Sequence, residues 1–161
     1  MPEPLPQLWE LGEDIVPGAE VAALAAAERA DVALTDRIRG WRGCQIHVDL
    51  PGGRITGIVL ATFRDAVTLA EPGAQRVVRL AATCAVEGPG HAAVRPAGRE
   101  RGSGLSACRD WVGCQVTVFC GVTVSGRLSS VGADHLDIDR VGGVRLVPWS
   151  GVSWVRVRDF G

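Results

Sequence analysis

The hydrophobic pattern of the chain changes near Gly40, from a helical period before it to a strand-like alternation after it. Residues 19–39 contain neither proline nor glycine and are rich in alanine, so the sequence predicts a helix over 18–40. Its apolar positions recur every three or four residues, at Ala23, Ala27, Ala30, Leu34 and Ile38. We expect this face of small side chains to pack on the rest of its own chain, or else on the same helix of a second copy. The protein is therefore expected to be a monomer or a homodimer.

After Gly40 the same sequence pattern occurs twice in the chain. The segment "WRGCQIHV" at 41–48 returns as "WVGCQVTV" at 111–118, and in both segments apolar and polar residues alternate as in a half-buried strand. The match continues through Gly57 and Gly126 and closes with "VVRLAATCAV" against "LVPWSGVSWV". Each copy reads as about five short strands, over 41–88 and 111–158. Equivalent bends are expected at the two glycines, with Val48 and Val118 pointing inward.

Five short, strongly bent strands after a helix give the two copies a likeness to a known family. The chain resembles tandem Sm-like (SH3-like) small β-barrel proteins, and is similar to two-barrel proteins encoded in GC-rich bacterial genomes. The resemblance covers about 19–157 and implies a mainly β fold, with an N-terminal helix followed by two five-stranded barrels. Sm proteins hold RNA with an Asp and an Asn before the third strand and an Arg-Gly pair before the last. Asp65 and Asp134 match the Asp, but the Asn is missing, and the glycines of "VGGVRLVP" precede Arg145.

Two segments lie outside this repeat. Residues 1–17 carry four prolines and four acidic residues, which predicts a mobile tail. Residues 89–110 are rich in Gly, Pro and Arg and read as a linker between the repeats. Within the linker, residues 104–109 are expected to form one helical turn that leads into the second repeat.

Composition narrows the class of protein. The 161 residues are 47% hydrophobic and 22% charged, which is typical of a globular protein, and the net charge is −1. Proteins that coat nucleic acid without sequence preference need a surplus of cations, and this chain has none. It also has no apolar run long enough to cross a bilayer, and its acidic, proline-rich start is unlike a secretion signal. We therefore expect a cytoplasmic protein.

No catalytic or metal-binding motif stands out. The five cysteines lack the spacing of a zinc site, so we expect buried thiols that act as small hydrophobic groups. His135 beside Asp134 and Asp137 is the one combination suited to weak metal binding or acid–base chemistry, and local hydrogen bonding is its more ordinary explanation. The glycine-rich stretches are hairpin turns rather than phosphate loops. The sequence predicts a protein without enzymatic activity, cofactor or metal.

The two repeats differ in ways that suggest a binding surface. Phe119 and Trp154 stand on outward strand positions where the first repeat has Asp49 and Ala85. The first and last strands of such a barrel are neighbours, so these rings are expected to lie together, with Val152 beside them. This patch is either the contact between the two repeats or an aromatic site for a protein partner.

These observations favour an interaction module or small scaffold that binds a protein. The alternative is an RNA- or DNA-binding protein of Sm-like type, which would use the only local cluster of cations. That cluster is the set of linker arginines Arg95, Arg99, Arg101 and Arg109.

Overall fold

The computed structural model describes residues 33–90 and 102–158 of the chain. The predicted tail at 1–17, the predicted helix up to residue 32 and the middle of the linker lie outside these ranges. The described end of the predicted helix is α1 (Leu34–Arg39), in which Asp36 and Arg39 form an ion pair of 2.6 Å across one turn.

Both repeats contain the five strands that the alternation predicts. The first repeat consists of β1 (Gln45–Leu50), β2 (Gly53–Thr62), β3 (Ala66–Glu71), β4 (Ala74–Arg79), a 3₁₀ turn (Leu80–Ala82) and β5 (Ala85–Glu87). The second repeat consists of β6 (Gln115–Phe119), β7 (Thr123–Val131), β8 (His135–Arg140), β9 (Gly143–Pro148), a 3₁₀ turn (Trp149–Gly151) and β10 (Trp154–Arg158). Even the irregularities are repeated, because β2 shifts register between Val59 and Ala61, and β7 shifts between Leu128 and Ser130.

The predicted helical turn before the second repeat is also present. It comprises α2 (Gly104–Ala107) and a following 3₁₀ turn (Cys108–Trp111). Ser103 caps α2, since its hydroxyl accepts a hydrogen bond from the backbone N–H of Ser106. α2 therefore precedes β6 as α1 precedes β1.

The strands form one antiparallel sheet rather than two closed barrels. Over the described residues the order of its ten strands is β5-β1-β2-β3-β4-β10-β6-β7-β8-β9. Within each repeat the first strand pairs with the last, as predicted: β1 with β5, and β6 with β10. The expectation of two separately closed barrels is not met, because β4 uses its outer edge to pair with β10 of the other repeat. We call this β4–β10 pairing the junction.

Each repeat has its own buried core, and the two cores interlock at the junction. The first is built on side chains of β1 to β4 with Ile38 of α1, and the second on β6 to β10 with Leu105 and Cys108. Val77 of β4 belongs to the core of the second repeat, while Trp154 of β10 packs on the core of the first. Val48 and Val118 are both fully buried, as predicted. No helix within the described residues is long and apolar enough to span a membrane.

Gly57 and Gly126 occupy equivalent places, as the repeat predicts. Gly57 lies opposite Ile46 and Gly126 lies opposite Val116 in the first strand of each repeat. A Cβ atom added at Gly57 would be 2.9 Å from the carbonyl oxygen of Ala70, and one at Gly126 would collide with the carbonyl oxygen of Asp139. Only glycine lets the neighbouring strand come this close.

We expect Gly57→Ala and Gly126→Ala each to lower the free energy of unfolding by about 1–3 kcal/mol, because a backbone carbonyl must move. Gly151→Ala is the matched control, since a Cβ atom there has no neighbour within 4 Å. Urea denaturation of the three variants measures the difference. Equal stability of all three would contradict the close approach.

Candidate functional site

Phe119 and Trp154 form a stacked pair at the junction, as the strand order predicts. They face each other across β6 and β10, with ring centroids 5.8 Å apart and an angle of 17° between the planes. Val152 does not join them, because its side chain is fully buried in the core of the second repeat. The 3₁₀ turn that ends at Gly151 delivers Val152 to the core before β10 begins.

The Trp154 ring is also covered by a cation. Arg76 of β4 places its guanidinium carbon 4.3 Å from the ring centroid, in a cation–π contact. Glu71 fixes this guanidinium with two hydrogen bonds, Nε to Oε2 at 2.5 Å and Nη2 to Oε1 at 3.0 Å. Arg156, directly opposite Arg76 on β10, reaches Glu71 Oε1 at 3.4 Å. Glu71 thus offsets the repulsion between two arginines that face each other across the junction.

The aromatic pair borders an open cleft between the repeats. The cleft has a volume of about 290 Å³. Its lining combines apolar and cationic side chains with glycine backbone: Leu50, Gly52, Gly53, Arg54, Ile55, Arg76, Phe119, Thr123 and Trp154. The β1–β2 hairpin lies close to the Phe119 ring, because a Cβ atom added at Gly52 would be 3.2 Å from it. Both repeats therefore build this cleft.

The cations of the cleft are paired with carboxylates. Arg54 Nε donates to Asp49 Oδ1 at 2.8 Å, and its Nη2 lies 3.1 Å from Glu87 Oε1. The hydrogen bond between Arg54 and Asp49 raises the pKa of the guanidinium and lowers the pKa of the carboxyl, although both groups are exposed. Arg76 is held by Glu71 in the same manner. The cleft therefore presents apolar surface with a charge-balanced rim rather than a cluster of unbalanced cations.

The linker arginines are only partly described. Arg95, Arg99 and Arg101 lie outside the described residues. Arg109 is exposed in the 3₁₀ turn that follows α2.

A second group of contacts, which the sequence did not predict, is centred on Asp65. Its carboxylate accepts one hydrogen bond from the backbone N–H of Gly104 at 2.7 Å and another from Trp149 Nε1 at 2.9 Å. Asp65 belongs to the first repeat, Trp149 to the second and Gly104 to α2 between them. The carboxylate of Asp65 therefore joins the two repeats.

Gly104 and Cys108 are two small residues that pack near Asp65. A Cβ atom at Gly104 would be 2.5 Å from Ala66 Cβ and 2.9 Å from the Trp149 ring, so only glycine brings α2 this close. Cys108, one turn later, is buried, and burial together with the nearby charge of Asp65 raises the pKa of its thiol to about 12. The expectation of buried thiols holds for Cys108 but is wrong for Cys44 and Cys84, which are exposed.

The imidazole of His135 lies between two carboxylates. Its Nδ1 is 2.8 Å from Asp134 Oδ1 and its Nε2 is 3.2 Å from Asp137 Oδ1. The hydrogen bond with Asp134 raises the pKa of His135, burial partly offsets the rise, and the negative charges of Asp137 and Asp134 add to it. The hydrogen bond of Nδ1 with Asp134 agrees with the ordinary explanation of this histidine, while Nε2 is only near the carboxylate of Asp137. No cluster of three or more His, Cys, Asp or Glu side chains suited to a metal occurs in the described ranges.

No protein-family model matches the chain, and no curated protein matches it significantly. The geometry of the junction and of its cleft is therefore the basis for assigning a function.

We expect Asp65→Ala to lower the free energy of unfolding by about 2–3 kcal/mol, since two donors at the junction lose a charged acceptor. Asp134→Ala changes the equivalent residue of the second repeat, whose side chain is 89% exposed, and should cost less than about 0.5 kcal/mol. Chemical denaturation gives both values. A loss at residue 134 as large as that at residue 65 would remove the special role of Asp65.

The stabilising effect of His135 should depend on pH. A histidine whose pKa is raised by folding stabilises the protein below its unfolded pKa of about 6.5, and this contribution is lost as the pH rises through the folded pKa. His135→Gln should therefore lower the melting temperature more at pH 5 than at pH 9. In an Asp134→Asn background the difference between the two pH values should shrink. Equal effects of His135→Gln at both pH values would contradict a raised pKa of His135 in the folded protein.

Proposed function

We propose that this protein is a non-enzymatic interaction module, formed by two Sm/SH3-like barrel units joined edge to edge, that binds a protein partner at the cleft between the repeats. Five strands per repeat, a shared bulge and the pairing of first with last strand support the barrel type. The binding proposal is carried by one observation, the stacked Phe119–Trp154 pair at the wall of an open cleft.

The composition of the cleft determines the kind of partner. Its walls offer aromatic rings and aliphatic side chains, which suit an apolar or aromatic residue of an extended segment. The rim guanidinium of Arg54 is already close to Asp49 and Glu87 but is still half exposed, so it can donate to a backbone carbonyl of that segment. Trp154 itself contributes to stability, because it packs on the core of the first repeat.

Charge balance disfavours the nucleic-acid alternative at this cleft. Aromatic rings beside arginines are also typical of sites for single-stranded nucleic acid. Phosphate binding depends on cations that gain from neutralising it, whereas both cleft arginines already have carboxylate partners. We therefore favour a protein segment as the ligand.

The test uses peptides selected from a random library of 12-residue peptides for binding to the whole chain. Thr123→Arg places a long side chain at the cleft, at an exposed position away from both cores. It should weaken peptide binding by about tenfold or more and leave the melting temperature unchanged. Ser125→Arg, two residues further along the same strand and outside the cleft lining, is the control and should bind as the wild type does.

Two results would contradict the proposal. One is peptide affinity that is unaffected by Thr123→Arg. The other is preferential binding of single-stranded oligonucleotides, with an affinity that falls steeply between 50 and 200 mM salt, which is the signature of phosphate contacts. An apolar peptide contact should change little over that range.

A further inference from the structure

The junction inside the molecule is a template for contacts between molecules. β4 and β10 pair antiparallel over five residue pairs, from Trp154 opposite Val78 to Arg158 opposite Ala74. The repeat aligns β9 with β4, and it aligns the three residues of β5 with the first three of the five residues of β10. The chain therefore has a second strand equivalent to β4, which is β9, and a second strand equivalent to β10, which is β5.

Those second copies lie at the two outer ends of the sheet. Within the described residues the strand order begins at β5 and ends at β9, and neither strand has a partner on its outer side. An exposed strand edge is a template for pairing with another chain. The outer edge of β5 is equivalent to the edge of β10 that pairs with β4, and the outer edge of β9 is equivalent to the edge of β4 that pairs with β10. The two ends of the sheet are therefore complementary to each other, and neither end is complementary to a second copy of itself.

The side chains of β9 show what the missing neighbour would cover. Leu146 is 63% exposed and Val144 is 58% exposed. The junction counterpart of Leu146 is Val77, which the second repeat buries completely. Val144 and Leu146 are therefore exposed on the last strand of the sheet, although the residue equivalent to Leu146 at the junction is buried.

The repeat that contains β5 has an exposed apolar residue of its own. Leu34, at the start of α1, is 46% exposed. Its counterpart in the second repeat is Gly104, which is packed against Val77 and Ala66 across the junction. By the same placement, Leu146 of one copy would lie near Leu34 of the next.

Charge supports the same pairing. At the junction Arg156 stands opposite Arg76, and Glu71 is needed between them. The corresponding pair at the outer edges is Glu87 of β5, whose carboxylate also contacts Arg54 at 3.1 Å, and Arg145 of β9. Both side chains are exposed and they carry opposite charges. Directly opposed unlike charges stabilise antiparallel strands, so the outer edges match each other in charge as well as in shape.

We propose that copies of this chain associate head to tail, with β9 of one copy pairing antiparallel with β5 of the next. The contact is heterologous, so it continues into a closed ring or an open filament rather than stopping at a dimer. In the expected register Val86 lies opposite Leu146, and Glu87 lies opposite Arg145.

A difference between β4 and β9 makes the outer contact weaker than the junction, because β4 has Arg79 where β9 has Pro148. Arg79 of β4 donates its backbone N–H to the carbonyl oxygen of Ser153 at 3.0 Å, and its guanidinium donates to the carbonyls of Val152 at 2.6 Å and Ser150 at 2.7 Å. Pro148 occupies the equivalent position of β9 and has no donor. Association is therefore expected to be reversible and to depend on concentration.

Sedimentation equilibrium of the full chain from about 5 to 500 µM tests the proposal. The average mass should rise with concentration above the 16.9 kDa of one chain. Leu146→Glu and Arg145→Glu should each weaken association on the order of tenfold. Val122→Glu is the matched control, because Val122 is also an exposed apolar residue, at 54%, but lies in the turn between β6 and β7.

Charge reversal separates head-to-tail pairing from other contacts. Glu87→Arg should weaken association as Arg145→Glu does. The double variant, and an equimolar mixture of the two single variants, should both recover it, because each restores a pair of opposite charges. A wild-type mass of one chain at every concentration would overturn the proposal. Association that Val122→Glu weakens as much as Leu146→Glu, or that the double variant does not recover, would also overturn it.

Discussion

The fold depends on the hydrogen-bonded pairing of β4 with β10. This pairing merges two five-stranded repeats into one sheet and exchanges side chains between their cores, with Val77 on one side and Trp154 on the other. It also creates the cleft, since the hairpin of the first repeat and the Phe119 ring of the second meet there. The candidate site is thus a product of the junction and belongs to neither repeat by itself.

Charged side chains define the register of this junction. Glu71 binds two arginines that would otherwise repel each other, and Asp65 binds α2 and Trp149. A slip of β10 by one residue against β4 would turn Arg156 toward the core and separate it from Glu71. Apolar burial therefore supplies the attraction between the repeats, and these carboxylates select one alignment.

The strands, their repetition and the Phe119–Trp154 contact could be predicted because they follow from local alternation and from an alignment of the chain with itself. The single sheet could not, because the alternation of β4 is the same whether its edge meets its own repeat or the other one. The prediction for Val152 is wrong because it extends the alternation of β10 back beyond the start of that strand, to a residue that directly follows a 3₁₀ turn. The role of Asp65 in joining the repeats could not be predicted, because its hydrogen-bond donors, Gly104 and Trp149, are distant from it in the sequence.

The length of chain between β4 and β10 has a consequence for folding. During synthesis the first repeat leaves the ribosome with the Val77 face of β4 uncovered, and its neighbouring strand is made only at the end of the described chain. Such a distant contact carries a large loop-closure cost and slows folding. Until β10 arrives, the β4 edge is open to strands of other nascent chains, so overproduction at high temperature should favour exchange of whole second repeats between molecules.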